Sequence, residues 1–178
     1  SMIIWITGLS GSGKTTLSRE IATLLKPHLP HLVLVDGDEI RELFADKLGH
    51  KESDRVIQIN RLQRLAAILD SQGLIVIVAA LYSRDDLLAW NRKNFTSYFE
   101  IYLDVDLATV CQRDPKKLYD KALKGEVKDV VGLDIPWHPP KNPDLIINHH
   151  DYDSITSISL DIIKSIPSLS AVLNDRHE

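Results

Sequence analysis

The sequence predicts an α/β fold, a parallel β-sheet with helices on both faces. Three observations lead there. Apolar runs of strand length alternate with stretches of helical spacing along the chain. The third run, "GLIVIVAAL", is apolar throughout, as in a strand covered on both faces. A glycine-rich stretch, "GLSGSGKTT", separates the first run from the first helical pattern.

The elements follow in order. "MIIWIT" reads as a short buried strand. Gly and Ser break it, and Thr15 to Leu25 then has helical spacing, with Leu17, Ile21, Leu24 and Leu25 on one side, ending before Pro27. "HLVLVDGD" is a second strand that runs out into acids. Asp38 to Leu48 and Ser53 to Ser71 read as two helices around the polar loop "GHKES". "GLIVIVAAL" is the third strand, Arg84 to Asn94 a helix, "FEIYLDV" the fourth strand and Leu107 to Gln112 a short helix. "DLIIN" is the fifth strand, and Ser154 to Ile166 closes the series as a helix. From Arg113 to Pro143 the rhythm fails: there is no regular strand, many Lys and Asp, and five prolines. A long irregular stretch inside a compact domain is functional or disordered. The last residues, "LNDRHE", read as a frayed tail.

Composition narrows the classes. A chain of 178 residues, 44% hydrophobic and 26% charged, is expected to form a single domain (1–178) with a real core. A net charge of −4 offers no broad basic surface, so nucleic acid is not an expected partner, and an anionic ligand must be held by a few placed cations. The single cysteine, Cys111, excludes an internal disulfide framework and fits a reducing compartment. The apolar runs are too short to span a bilayer, so no membrane partner is expected. Ser1 ahead of Met2 reads as a cloning remnant, and the N-terminal stretch lacks the pattern of a signal peptide. A cytoplasmic location is the resulting expectation.

Gly8, Gly13, Lys14 and Thr15 satisfy G-x-x-x-x-G-K-[ST] without a gap, between a strand and a helix. Such a loop turns successive backbone N–H groups towards an anion, and the following helix adds its N-terminus. Gly8, Leu9, Ser10, Gly11, Ser12, Gly13, Lys14, Thr15 and Thr16 are therefore the expected ATP-binding stretch, with Lys14 at the β- and γ-phosphates and Thr15 on Mg²⁺. The fold class becomes that of the P-loop NTPases, nucleoside-kinase-like, with a mobile lid at about 113–143.

A guanine-nucleotide switch would carry Asn-Lys-x-Asp, and neither "NRKN" nor "NHHD" fits it. A motor ATPase would end an apolar strand in an acid, and "LIVIVAALYS" does not. The acids follow the second strand instead, as Asp36 and Asp38, at the sheet edge where open α/β folds bind ligands. One carboxylate can hold the metal and the other can accept a proton from an attacking hydroxyl. Asp38 can equally cap the helix that follows. The irregular segment opens with Arg113 and Asp114 and continues with Lys116, Lys117, Lys121 and Lys124. It reads either as a cationic lid that excludes water or as a solvated charged hairpin. Arg41 falls in phase with Phe44, Ala45 and Leu48, and Arg55 with Ile59, Leu62, Ala66 and Leu69. An inward arginine needs an anion or a paired carboxylate, so these two mark an anionic acceptor or two structural salt bridges. The pair His149–His150 has no third metal ligand at suitable spacing. Trp137 reads as a loop anchor or a base contact.

The ordered set "GLSGSGKTT", "VDGDEIR", "DKLG", "SDR", "QRDPKKLYDKALKGE", "VVGLDIP" and "NPDL" resembles the adenylylsulfate kinases over most of the chain. The resemblance implies transfer of the ATP γ-phosphate, with Mg²⁺, to a nucleotide ribose 3′-hydroxyl, most directly that of adenylyl sulfate. It implies that Asp38 sits by the metal and the reacting hydroxyl, that Arg41 and Arg55 bind the acceptor, and that Arg113 lies against the ATP adenine. Lys14, Asp36 and Asp38 are then the catalytic set; Thr15, Asp36 and Asp38 the metal set. A homodimer is a further implication. The departures fall on the acceptor side. The family stacks the acceptor's adenine between two phenylalanines, where this chain has His50 and Val130; Gln58 stands for the family's Asn. The family's "SFISPY", whose Ser can be phosphorylated, is "AALYSR" here, and Ser83 is not clearly its equivalent. Related enzymes of capsule synthesis phosphorylate cytidine diphosphoramidate, whose smaller base needs less stacking surface. The contrary class is a nucleotide-binding protein without activity; intact Lys14, Thr15, Asp36 and Asp38 argue against it.

Overall fold

Five strands pair in one parallel sheet with the order β2-β3-β1-β4-β5. They are β1 Met2–Thr7, β2 Leu32–Asp36, β3 Ile75–Ala80, β4 Tyr98–Asp104 and β5 Leu145–Asn148. The helices between them are α1 Lys14–Leu25, α2 Gly37–Leu43, α3 Glu52–Ser71, α4 Asp85–Asn94, α5 Leu107–Arg113, α6 Leu118–Leu123 and α7 Ile155–Ser165. Short 3₁₀ turns cover His149–Asp151 and Val172–His177. This computed structural model describes residues 1–177.

Every residue of β3 and all but the first of β1 are buried, the signature of strands covered on both faces. Leu17, Ile21 and Leu25 of α1 turn inward on one stripe; Ile59, Leu62 and Ala66 of α3 do so on another. α1 packs against α7, while α3 lies on β3 and β1. Ile3, Ile4, Trp5 and Ile6 are wholly buried between these layers. Each such apolar side chain contributes about 1.5–3 kcal/mol.

The register aligns the carboxyl ends of the strands. Thr7 stands opposite Ala80 and Tyr102, Asp36 opposite Ala79, and Asp104 opposite Asn148. The loops that carry the expected chemistry therefore leave one edge of the sheet. Among the described residues, no helix is long and apolar enough to cross a membrane.

Three expectations need correction. The helix after β2 stops at Leu43, not Leu48: Phe44 is extended, with φ −92° and ψ 135°, and its ring lies 4.1 Å from the Arg61 guanidinium. The 113–143 segment is strandless as expected, yet it contains α6 and one isolated bridge between Val131 and Ile135. The tail is not frayed as expected: Val172–His177 forms a 3₁₀ turn and Leu173 packs against the core, while Glu178 lies outside the described residues.

Candidate active site

The loop from Gly8 to Gly13 joins β1 to α1. Gly13 has φ +98°, in the left-handed region, and stands at the N-cap of α1 without a side-chain cap. The free N–H groups of the first turn of α1 therefore face the loop's interior. Lys14 Nζ lies across that interior and donates to the carbonyls of Gly8 at 2.7 Å and Leu9 at 2.9 Å. Burial pulls the Lys14 ammonium down to about 8, against the opposing pull of Asp38 and Asp36. An ammonium held this way gains from any anion placed beside it.

Asp36, the last residue of β2, is buried and caps α2: its Oδ1 accepts from Asp38 N at 3.1 Å. The cap is thus Asp36 and not Asp38. The other oxygen, Oδ2, accepts from Thr15 Oγ1 at 3.1 Å. This juxtaposed hydroxyl and carboxylate are hard oxygen donors of the kind that suit Mg²⁺. A Cβ at Gly37 would sit 2.9 Å from the carbonyl of Ala79, so the residue between the two aspartates has no room for a side chain. Asp38 is exposed, and its carboxylate meets Lys116 Nζ at 3.4 Å.

The far side is built from α2, α3 and residues 127–130. Arg55 is buried, in line with Ile59, Leu62 and Ala66, and donates to the carbonyl of Asp129 at 2.8 Å. Among the described residues, its Nε has no partner. Burial and the Arg41 guanidinium lower the Arg55 pKa, and the group stays charged. Arg41 is half-buried for a different reason than its phase suggested, since α2 ends two residues later. It donates to the carbonyls of Leu48 at 3.2 Å and Gly49 at 2.9 Å. Among the described residues, neither arginine has a carboxylate at salt-bridge distance. His50 stands at the rim, where partial desolvation and then Arg41 and Arg55 lower its pKa. Gln58 Nε2 donates to the carbonyl of Gly37 at 2.8 Å. Val130 is buried, its N–H donating to Asp134.

These groups surround one cavity of about 600 Å³. It is lined by Lys14, Thr15, Asp36 and Asp38 on one side and by Arg41, His50, Arg55, Gln58 and Val130 on the other. Ser10, Gly11, Gly13 and Thr16 line it too; Gly8, Leu9 and Ser12 do not. Arg113 lies elsewhere, in a second cavity of about 370 Å³ with Ser12, Thr16, Tyr152 and Ile155. It donates to the carbonyl of Gly11 at 3.3 Å and reaches His149 Nδ1 at 3.3 Å.

Two lining tyrosines carry no role in the sequence reading. Tyr119 of α6 is buried and donates to the carbonyl of Ser10 at 2.6 Å, tying the 113–143 segment to the phosphate loop. Tyr82 is buried after β3 and donates to Glu52 Oε2 at 2.7 Å. "LYDKAL" is the available signal for α6, but its polar flanks mask the period. Trp137 packs beside Tyr102, ring centroids 6.1 Å apart, as a loop anchor.

The sequence model of the adenylylsulphate kinase family matches residues 1–148. The chain belongs to that family. It is a kinase, a phosphotransferase with an alcohol group as acceptor. It is 41% identical to the cytidine diphosphoramidate kinase of Campylobacter jejuni over 150 residues, 83% of this chain and 85% of that protein. It is 36% identical to the adenylyl-sulfate kinase of Pseudomonas aeruginosa over 148 residues, 82% of this chain and 76% of the relative. The structure of the Mycobacterium tuberculosis APS kinase CysC, in complex with AMPPNP and APS, superposes with a TM-score of 0.84 at 33% identity, covering 93% of this chain and 96% of the other. Membership of the adenylylsulphate kinases thus rests on sequence and on fold together.

Proposed function

We propose that this chain is a single-domain, ATP- and Mg²⁺-dependent kinase that phosphorylates the ribose 3′-hydroxyl of a nucleotide, adenylyl sulfate in the first instance. The observation that carries the proposal is the pair Arg41 and Arg55. Both are anchored by backbone carbonyls, and both line the cavity opposite the phosphate loop. Two neighbouring guanidiniums without a carboxylate call for an anionic ligand.

In this reading Gly8 to Thr16 hold the ATP phosphates, with Lys14 beside the transferred group and Arg113 at the adenine. Asp38 accepts the proton of the attacking hydroxyl once Lys116 has moved off it. Thr15, Asp36 and Asp38 would hold Mg²⁺. When bound, that ion neutralises charge on the β- and γ-oxygens. The 113–143 segment acts as a lid, excluding water that would otherwise compete for the phosphoryl group. A homodimer in the cytoplasm completes the reading.

A specific observation favours a second acceptor, cytidine diphosphoramidate. His50 and Val130, which replace the family's stacking rings, both line this cavity. Base–aromatic stacking is worth about 1–3 kcal/mol per base, and Val130 cannot supply it. The test is parallel turnover of ATP with each acceptor. ADP formation with adenylyl sulfate is the expected result. ADP formation with cytidine diphosphoramidate alone moves the assignment to the second reading. No ADP above background with either overturns the 3′-kinase proposal.

A further inference from the structure

The sequence offers no third ligand near His149–His150, but the fold supplies one. The two histidines follow β5, and Asp106 follows β4 as the N-cap of α5. Because β4 and β5 are neighbours in the sheet, the three residues meet at its carboxyl edge. One ligand atom from each lies within 4.8 Å of the others. His150 Nε2 is 3.4 Å from Asp106 Oδ2. Two ligands at about 2.0–2.1 Å from a tetrahedral zinc stand about 3.4 Å apart, so this pair already has the required spacing. The second carboxylate oxygen, Oδ1, accepts from Thr109 N at 2.7 Å, which fixes the carboxylate's orientation as an outer-shell partner does. His149 Nε2 is buried and has no partner among the described residues.

We infer that Asp106, His149 and His150 form a site for one divalent transition metal, zinc in the first instance, coupled to the ATP side through Arg113. Two imidazoles and a carboxylate are a borderline donor set that suits zinc and leaves a position for water. The coupling follows from hydrogen-bond chemistry at His149. Arg113 Nη2 lies 3.3 Å from His149 Nδ1. A guanidinium only donates, so Nδ1 must accept, and the neutral ring carries its proton on Nε2. A metal bound at Nδ1 takes the place of Arg113. A metal bound at Nε2 moves the proton to Nδ1, which can then no longer accept from Arg113. Either way the metal and the Arg113 hydrogen bond exclude each other. If Arg113 serves the adenine, as proposed above, from the position in which His149 holds it, zinc removes that hold and lowers ATP affinity, and ATP lowers zinc affinity by the same factor. The coupling rests on that assignment; the metal site does not.

The test titrates Zn²⁺ into the full chain without nucleotide, in competition with a chromophoric chelator. One ion per chain is expected, with affinity falling by about tenfold or more in Asp106→Asn and His150→Ala. Asparagine keeps the oxygen that caps α5, and His150 is exposed, so unchanged thermal midpoints without metal are expected of both. No saturable binding, or equal affinity in all three proteins, overturns the site. Zinc is then added to the kinase assay under excess Mg²⁺. The KM for ATP should rise in the parent chain and stay level in both variants. A KM unmoved by zinc in the parent overturns the coupling. A chain that binds zinc stoichiometrically but phosphorylates no acceptor supports the site and defeats the proposed function, so the two failures are distinct.

Discussion

Lys14 illustrates how a single side chain can oppose folding while standing where an anion would stabilise it. It is half-buried between the carbonyls of Gly8 and Leu9, with its pKa brought from 10.5 to about 8 chiefly by desolvation. The folded value lies below the unfolded one, so between about pH 8 and 10.5 the unfolded chain binds more protons. Stability from this group is therefore gained as pH rises through that window, and below it the charged ammonium carries its full burial cost. Lys14→Met removes the titration. The stability of the parent relative to Lys14→Met, measured by urea unfolding without nucleotide, should rise from pH 8 to pH 10, whatever the constant offset from lost hydrogen bonds. A flat difference would contradict the burial of the ammonium. Residues whose place is set by a gapless local motif, such as Lys14 and Thr15, are legible in the sequence. Arg41 was legible only by accident: its phase pointed inward along a helix that ends at Leu43, and backbone carbonyls hold it there instead. Asp106 could not be seen beside His149–His150, since only strand order brings them together.

At the scale of elements, the strands and the long helices declare themselves through period, and the structure agrees to within a few residues at each end. Of the shorter helices, α5 is read to within one residue, while α2 and α6 are not. The period predicts too long an α2 because it continues past Leu43, where Phe44 lies under Arg61. α6 leaves no signal in the period because only six residues between charged flanks are helical, and Lys117 before it has φ +55°, which no periodicity encodes. Yet α6 reaches the phosphate loop. Asp114 accepts from the backbone N–H groups of Tyr119 at 3.1 Å and Asp120 at 2.9 Å, which sets the start of the helix. Tyr119 then donates to Ser10 O at 2.6 Å. Tyr119→Phe keeps the ring and leaves that carbonyl without its donor. The expected cost is about 1–2 kcal/mol in stability, with a several-fold rise in the KM for ATP. Thermal unfolding and initial-rate kinetics check both. An unchanged KM would mean that α6 packs beside the loop without steadying it.

For the whole molecule, different parts of the chain supply the two sides of the cavity. β1 and α1 bring Lys14 and Thr15; β2 with α2, α3 and residues 127–130 brings Arg41, Arg55, Gln58 and Val130. The two sides meet at Asp36, which is bonded to Thr15 by one oxygen and caps α2 with the other. The first side matches its sequence pattern without a gap, and the second carries His50, Gln58 and Val130, the positions that the resemblance marks as departures. That division makes a prediction about independence. Among the described residues, Arg55 makes no hydrogen bond to the phosphate loop; its hydrogen bond runs to Asp129 O at 2.8 Å. A charge-assisted hydrogen bond to an anionic acceptor is worth about 1.5–3 kcal/mol, or about 10- to 150-fold. Arg55→Ala should raise the acceptor's KM by that order and leave the affinity for a non-hydrolysable ATP analogue, read by calorimetry, within about twofold. Arg55 is buried, so the thermal midpoint of the variant is measured first, and Arg55→Lys, which keeps a charge, should recover part of the acceptor KM. An equal loss of ATP and acceptor binding in a folded Arg55→Ala protein would show that the two sides act as one unit, and the assignment of Arg55 to the acceptor would fall.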